Sequence, residues 1–109
     1  MSNYETQEHD VLVIGAGGAG LRAAIEVASK GLKVALVCKS LLGKAHTVMA
    51  EGGVAAAMAT VDSRDGWQTH FRDTMIGGKY LNNFRMAQIH AMEAPECVVE
   101  LEHWGAVFD

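Results

Sequence analysis

Apolar and polar positions along the first third of the chain predict a strand, a helix and a second strand. The run from Val11 to Ile14 contains no polar residue, which is typical of a parallel strand buried on both faces. From about Ala19 to Lys30 apolar residues recur at helical spacing, and Gly31 follows as a left-handed cap. Leu32 to Val37 then predicts a second strand, parallel to the first because right-handed crossovers join parallel neighbours. Together these elements predict one βαβ unit.

The remaining pattern is mainly helical. Leu41 to Gly53 predicts a loop, and Val54 to Met58 predicts a short helical turn. Asp62 or Ser63 is expected to cap the following helix, with Asp65 as its capping-box partner. The inward stripe of that helix consists of Trp67, Phe71 and Met75, and Gly77 and Gly78 end it.

The last third predicts two further helical segments separated by a break. Asn82 or Asn83 starts the first, and Pro95 marks the break because it suits a first helical position. Helical spacing then continues to Trp104, and Gly105 stops it. The residues expected to face inward are Phe84, Ala87, Ala91 and Met92.

Glycines between the first strand and the first helix fit the pattern G-x-G-x-x-G at Gly15, Gly17 and Gly20. Gly15 permits a tight turn, Gly17 lets a pyrophosphate approach the backbone, and Gly20 lets the helix lie close to the strand. The phosphates would bind unpaired N–H groups at the helix N-terminus. The pattern predicts dinucleotide binding, and the alternative is a glycine-rich turn that only packs tightly.

Composition limits the possible functions. At 109 residues the chain has the length of one small domain, yet a doubly wound sheet needs more strands than this pattern supplies. We therefore expect the N-terminal part of a larger chain, with residues 1–9 as a polar lead. The net charge of −4 and the lack of a basic run argue against a nucleic-acid partner. Cys38 and Cys97 are expected to be free thiols in a reducing compartment, although one disulfide is conceivable.

Two observations concern the end of the second strand and the loop after it. Cys38-Lys39-Ser40 supplies no carboxylate where NAD-binding folds usually carry one for the ribose, so an ordinary NAD site is disfavoured. Backbone groups or Ser40 can hydrogen-bond a ribose instead. In the loop, Gly52 and Gly53 allow close approach to a flat ligand, and His46 taken alone is more often structural than catalytic.

The run His46-Thr47-Val48-Met49-Ala50-Glu51-Gly52-Gly53, at this distance from the Gly15–Gly20 loop, resembles the flavoprotein subunit of succinate dehydrogenase and fumarate reductase. The family pattern H-[ST]-V-x-A-[QE]-G-G matches position by position. Asp73-Thr74 with Gly77-Gly78 and the run from Leu101 to Gly105 agree as well. Ala45 departs from the usual Ser, without changing the length of the loop.

The resemblance implies an α/β fold with a Rossmann-like FAD-binding βαβ unit and following helices. Residues 10–109 would be the N-terminal, incomplete part of the FAD-binding domain of a larger two-domain flavoprotein. His46 matches the histidine that bonds covalently to the 8α carbon of FAD. The other residues implied at the cofactor site are Gly15, Ala16, Gly17, Gly18, Ala19, Gly20, Cys38, Lys39, Ser40, Ala45, Thr47, Ala50, Glu51, Gly52 and Gly53.

The resemblance also implies an enzyme that interconverts succinate and fumarate by hydride transfer to or from FAD. Its catalytic residues are expected beyond Asp109. Electrons would pass to iron–sulfur clusters in a partner, the iron–sulfur subunit, then on to the quinone pool. Membrane anchor subunits would hold the protein peripherally on the cytoplasmic side of the cell membrane. The alternatives are a soluble relative with noncovalent FAD, such as L-aspartate oxidase, and a dinucleotide-binding fragment without catalysis. No metal site is expected in this chain, because His90 and His103 lack ligand-spaced partners.

Overall fold

A computed structural model describes residues 4–108 of the chain. These residues form two compact units, one up to residue 52 (the N-terminal unit) and one from residue 53 (the C-terminal unit). The N-terminal unit contains β1 (Val11–Ile14), α1 (Gly18–Ser29), β2 (Val34–Val37) and a short 3₁₀ helix (His46–Met49). The C-terminal unit contains α2 (Trp67–Gly77) and α3 (Phe84–His103). The predicted α/β class is confirmed.

The N-terminal unit is a parallel β1–α1–β2 arrangement, as the sequence predicts. Val11 lies opposite Val34 and Ile14 opposite Val37, and α1 packs on both strands. The bounds of β1 agree with the prediction, those of α1 differ by one residue, and β2 begins two residues later than predicted. Gly31 has a φ of +75°, which confirms the left-handed cap after α1.

Burial of β1 differs from the prediction. Leu12 is 59% exposed and Ile14 is 82% exposed, whereas Val11 and Val13 are half-buried. Successive residues of a strand point to opposite faces, and α1 covers one of those faces within the described part of the N-terminal unit. The prediction that β1 is buried on both faces is therefore wrong for the described residues.

The C-terminal unit is held together by packing of α2 against α3. Met75 of the predicted α2 stripe is buried, and the rings of Phe71 and Phe84 meet edge to face with centroids 5.0 Å apart. Phe84 and Met92 remain largely exposed, contrary to their predicted inward position. The α3 residues that are buried are Ala87, Ala91 and Ala94. Small side chains allow the two helices to approach closely.

The start of α2 was predicted wrongly. The helix begins at Trp67 after Gly66, and no side chain caps it. The carboxylate of Asp62 instead accepts hydrogen bonds from the backbone N–H of Arg64 at 2.9 Å and from its guanidinium at 2.8 Å. Because this local turn uses the acceptor, Asp62 does not cap a helix. Residues 54–58 likewise form no helical turn, and a Met58 N–H to Ala56 carbonyl hydrogen bond bends them instead.

The predicted break at Pro95 is also wrong, because α3 continues through this residue. A proline inside a helix removes one N–H donor and crowds the preceding turn, and in α3 that turn contains the buried residues Ala91 and Ala94. Both ends of α3 agree with the prediction. Asn83 caps the N-terminus by accepting from the Met86 N–H at 3.0 Å, and Gly105, with a φ of +99°, follows its end.

Two further properties of residues 4–108 bear on function. Cys38 and Cys97 are both free thiols, as expected. None of the helices formed by these residues has the length and apolar character needed to cross a membrane.

Candidate functional site

A cleft of about 580 Å³ opens in the N-terminal unit where β1 and β2 end. Its walls come from three segments: the glycine turn after β1, the residues after β2, and the start of the 3₁₀ helix. The predicted site residues that line it are Gly15, Ala16, Gly17, Cys38, Lys39, Ser40, Ala45 and His46. Three separate parts of the sequence that were predicted to share a site therefore do share one cleft.

The glycine turn is built by two close backbone contacts. Gly15 has a φ of +111°, a conformation that residues with a β-carbon rarely adopt, and its N–H donates to the Val37 carbonyl at 2.8 Å. A β-carbon on Gly20 would collide with the carbonyl oxygen of Gly15. Both glycines thus have the mechanical roles that the motif predicts, a tight turn and a helix close to its strand.

Gly17 leaves the N-terminus of α1 accessible from the cleft. It is the N-cap residue of α1 but has no side chain with which to cap the helix. A β-carbon there would make only ordinary contacts, at 3.5 Å from the Thr47 hydroxyl oxygen. The first N–H groups of any helix have no partner within the helix, and they carry partial positive charge. This end of α1 can therefore bind an anion.

Thr47 contacts the same helix end from a distant part of the sequence. Its hydroxyl oxygen accepts a hydrogen bond from the Gly18 N–H at 3.0 Å, across 29 positions of the chain. Thr47 follows His46 directly in the 3₁₀ helix. The segment that carries His46 is therefore attached to the N-terminal end of α1.

The charges of the cleft favour an anionic ligand. Lys39 and Lys44 line it together with His46, and no Asp or Glu among residues 4–52 does so. The thiol of Cys38 donates a hydrogen bond to the Ser40 carbonyl oxygen at 2.8 Å, which stabilises the turn after β2. The absence of a carboxylate after the second strand, noted from the sequence, thus extends to the whole lining within the N-terminal unit.

Some predicted site residues do not line the cleft. Gly18, Gly20 and Thr47 are not among the lining residues, and they make the contacts given above. Ala19 also lies outside the lining, in the first turn of α1. Ala50, Glu51 and Gly52 belong to the N-terminal unit without lining the cleft, and Gly53 belongs to the C-terminal unit.

Four lining residues were not predicted for the site: Ile14, Val37, Leu41 and Lys44. Ile14 and Val37 end the two strands, so their positions follow from the strand bounds. Lys44 enters through a turn in which its N–H donates to the Leu41 carbonyl at 3.1 Å and Gly43 has a φ of +78°. The Gly43-Lys44 pair could have indicated this turn from the sequence, because glycine commonly takes a positive φ in turns.

These observations fit a dinucleotide cofactor of the FAD type. The first turn of α1 suits a pyrophosphate through its N–H groups other than that of Gly18, which Thr47 occupies, and Gly17 leaves room beside the backbone. Ser40 contributes polar surface to the cleft, and Ile14 and Val37 at the ends of β1 and β2 contribute apolar surface. The groups at the cleft are therefore of the kinds that the glycine motif predicts for a dinucleotide site.

Comparison with known proteins agrees with this geometry. The family model for the FAD binding domain matches residues 10–109. A fumarate reductase (CoM/CoB) subunit of Methanothermobacter marburgensis is 50% identical over 106 residues, which cover 96% of this chain and 19% of that protein. The succinate dehydrogenase flavoprotein subunit of Coxiella burnetii is 44% identical over 110 residues, covering 99% of this chain and 18% of that protein.

A solved structure is similar in fold as well as in sequence. The Mycobacterium smegmatis Sdh1 complex in the apo form contains a chain that superposes with a TM-score of 0.88 at 68% identity. The match covers 93% of this chain and 17% of that one. The chain thus spans less than a fifth of the length of the relatives it matches.

Proposed function

The chain belongs to the family of FAD binding domains, and on this premise we propose that its cleft binds FAD in a Rossmann-like manner. The observation that supports this most directly is the meeting of the glycine turn, the N-terminus of α1 and the His46 segment in one cleft. The pyrophosphate binds N–H groups in the first turn of α1 other than that of Gly18, which Thr47 occupies, and lies beside Gly17. Lys39 and Lys44 add positive charge, and Ser40 hydrogen-bonds the adenosine ribose.

We further propose that the protein is the flavoprotein of a succinate dehydrogenase or fumarate reductase. The relatives with these names match nearly the whole chain, and the His46–Gly53 run matches the family pattern. Bound FAD supplies a two-electron acceptor and donor, which succinate oxidation and fumarate reduction require. The described residues hold and orient the cofactor. Among residues 10–109 we assign no side chain to substrate binding or proton transfer.

His46 is the residue that we assign to covalent attachment of FAD. It lines the cleft, it is exposed, and it holds the family position for the 8α linkage. Attachment would replace one imidazole N–H bond and one 8α C–H bond by a nitrogen–carbon bond, with release of two protons and two electrons. The bound isoalloxazine would take up the electrons, and fumarate would reoxidise it, being reduced to succinate with the two protons. An imidazole substituent withdraws electrons and makes the flavin a better acceptor for succinate oxidation.

The partners follow from the same proposal. We propose that an iron–sulfur subunit takes the electrons, that membrane anchor subunits pass them to the quinone pool, and that the protein lies peripherally on the cytoplasmic side of the membrane. The solved relative is named as a complex, which supports an assembly of several subunits. Co-purification of the tagged full-length protein from membranes, with iron and acid-labile sulfide analysis, tests these assignments. A flavoprotein recovered alone and free of iron contradicts them.

The central experiment examines flavin on the denatured full-length protein. We expect the wild-type band on a denaturing gel to fluoresce, and the His46→Ala band to be dark although native His46→Ala protein still contains FAD. The control is His9→Ala, which removes another exposed histidine of the N-terminal unit and should leave the fluorescence unchanged. His46→Ala should lower succinate-dependent dye reduction more than fumarate-dependent oxidation of a reduced dye. A fluorescent His46→Ala band contradicts the assignment of the linkage, and native protein without FAD contradicts the proposed function.

A further inference from the structure

We propose that Thr47 is a positioning residue that holds the His46 segment against the N-terminus of α1 through its hydroxyl group. The consequence for FAD rests on the proposed function. The contact itself does not, because it involves only residues of this chain. This role differs from direct contact with the cofactor, because Thr47 does not line the cleft.

The hydrogen bond takes the place of a missing local cap. Helices are usually capped by a side chain at the residue that precedes them, but α1 is preceded by Gly17. The hydroxyl of Thr47 instead accepts from the Gly18 N–H, the first of α1, at 3.0 Å. A threonine far along the chain thus performs the function of an N-cap residue and joins two segments at the same time.

Close packing accompanies the hydrogen bond. A β-carbon on Gly18 would lie 3.3 Å from the methyl carbon of Thr47 and 3.6 Å from its hydroxyl oxygen. The side chain therefore rests on the bare backbone of Gly18. Any residue other than glycine at position 18 would require the Thr47 side chain to move by a few tenths of an ångström.

Little else fixes this segment. No side chain of the 3₁₀ helix is buried, and Val48 and Met49 are both more than half exposed. Within the segment, the Val48 N–H donates to the Ala45 carbonyl at 3.2 Å and the Ala50 N–H to the Thr47 carbonyl at 3.3 Å. These bonds make the segment a small folded turn, and Thr47 attaches that turn to α1. Because His46 is its first residue, the imidazole is held with it.

Such an attachment matters for a ligand that must reach two places. FAD has to contact the end of α1 with its pyrophosphate and His46 with its flavin. If the segment moved freely, the protein would have to order it on every binding event, which weakens binding and slows any reaction at His46. The hydroxyl of Thr47 removes part of that cost before the cofactor arrives.

The test uses Thr47→Val and Thr47→Ser in the full-length protein. Valine keeps the shape without the hydroxyl, and serine keeps the hydroxyl without the methyl group. The first measurement is the rate of hydrogen exchange at the Gly18 amide in full-length protein prepared without FAD. We expect Thr47→Val to exchange about fivefold to tenfold faster, the effect of losing one hydrogen bond, and Thr47→Ser to stay within about twofold of wild type.

The second measurement is the share of FAD that remains on the denatured chain, relative to total FAD in the native protein. We expect Thr47→Val to lower this share by a similar factor at an unchanged melting temperature, and Thr47→Ser to restore it. Unchanged Gly18 exchange in Thr47→Val overturns the inference. Faster exchange with an unchanged covalent share overturns the positioning role, and equal losses in both variants overturn the role of the hydroxyl. Wild-type protein without any FAD contradicts the proposed function, while the Gly18 measurement still decides the contact.

Discussion

The carbonyl oxygen of Gly15 occupies the space into which a β-carbon on Gly20 would project. The turn that leaves β1 therefore closes directly onto the first turn of α1. The obstacle is a backbone atom, and it cannot rotate away as a flexible side chain can. Gly20 is thus required by the fold of the N-terminal unit, whether or not a cofactor is bound.

We expect Gly20→Ala to destabilise the N-terminal unit by about 1–3 kcal/mol, the usual cost of forcing extra atoms into a packed region. Hydrogen exchange of the α1 amides in the full-length protein measures this cost. The matched control is Gly77→Ala at the end of α2, where a β-carbon would meet nothing within 4 Å. Equal protection of α1 in Gly20→Ala and wild type would show that the turn can open at little cost.

Gly17→Ala should affect FAD binding and not stability, because its β-carbon would make only ordinary contacts with Thr47 and Ala45. We expect the fold to be retained, with exchange of the α1 amides close to that of wild type. FAD content should fall, since the new methyl group stands where the pyrophosphate approaches the backbone. The measurement is bound FAD per chain after gel filtration, and full FAD content in Gly17→Ala would show that the pyrophosphate lies elsewhere.

The N-terminal unit was largely predictable because its signals are local. An unbroken apolar run, a glycine motif and helical spacing each specify one element, and the three together specify their order. The contact between Gly18 and Thr47 was not predictable from these signals. The two residues lie 29 positions apart, and a threonine hydroxyl has many possible donors. The residues of the cleft were therefore found largely from the motifs, whereas the contact that joins two of its walls required coordinates.

Glu26 provides a pH-dependent element on the exposed face of α1. Hydrogen bonds from the side chains of Lys30, at 2.8 Å, and of Arg22, at 3.0 Å, lower the pKa of its carboxyl group. A lowered folded-state pKa stabilises the fold above the ordinary value of 4.5, and this contribution disappears as the pH falls through the lowered pKa.

We expect Glu26→Gln to be less stable than wild type near neutral pH and equally stable in acid, where the wild-type carboxyl group is protonated. The difference should be small because these side chains are exposed to solvent. Urea unfolding of both proteins at a series of pH values from about 7 down to about 2 measures it. Glu8→Gln, with the same change of net charge, serves as the control. A Glu26→Gln deficit that persists in acid would assign the effect to packing.

Asn83 caps α3, and its removal should weaken the start of that helix. Asn83→Ala removes the acceptor for the Met86 N–H, which costs about 1 kcal/mol in comparable caps, while Asn83→Asp preserves it. Hydrogen exchange at the Met86 amide distinguishes the two variants. If Met86 exchanged equally in Asn83→Ala and Asn83→Asp, the cap would contribute nothing measurable.

The errors in the C-terminal unit share one physical cause. Asp62 has the right residue type for a helix cap, but the nearby Arg64 competes for its carboxylate. Pro95 has the right type for a helix start, but it follows a turn of α3 that contains the buried residues Ala91 and Ala94, and the helix continues through it. In both places the residue type is compatible with two local structures, and contacts with other residues decide between them.

Because a β-carbon is blocked at Gly20 but not at Gly17, selection for folding and selection for cofactor binding should act on different glycines of the motif. In a library selected only for abundance of the folded protein, every substitution at Gly20 should be depleted, while small residues at Gly17 should persist. Selection for growth that depends on the flavin should remove the Gly17 variants as well. A lineage that abandoned its cofactor but kept its fold would therefore lose the middle glycine of the motif and retain the last.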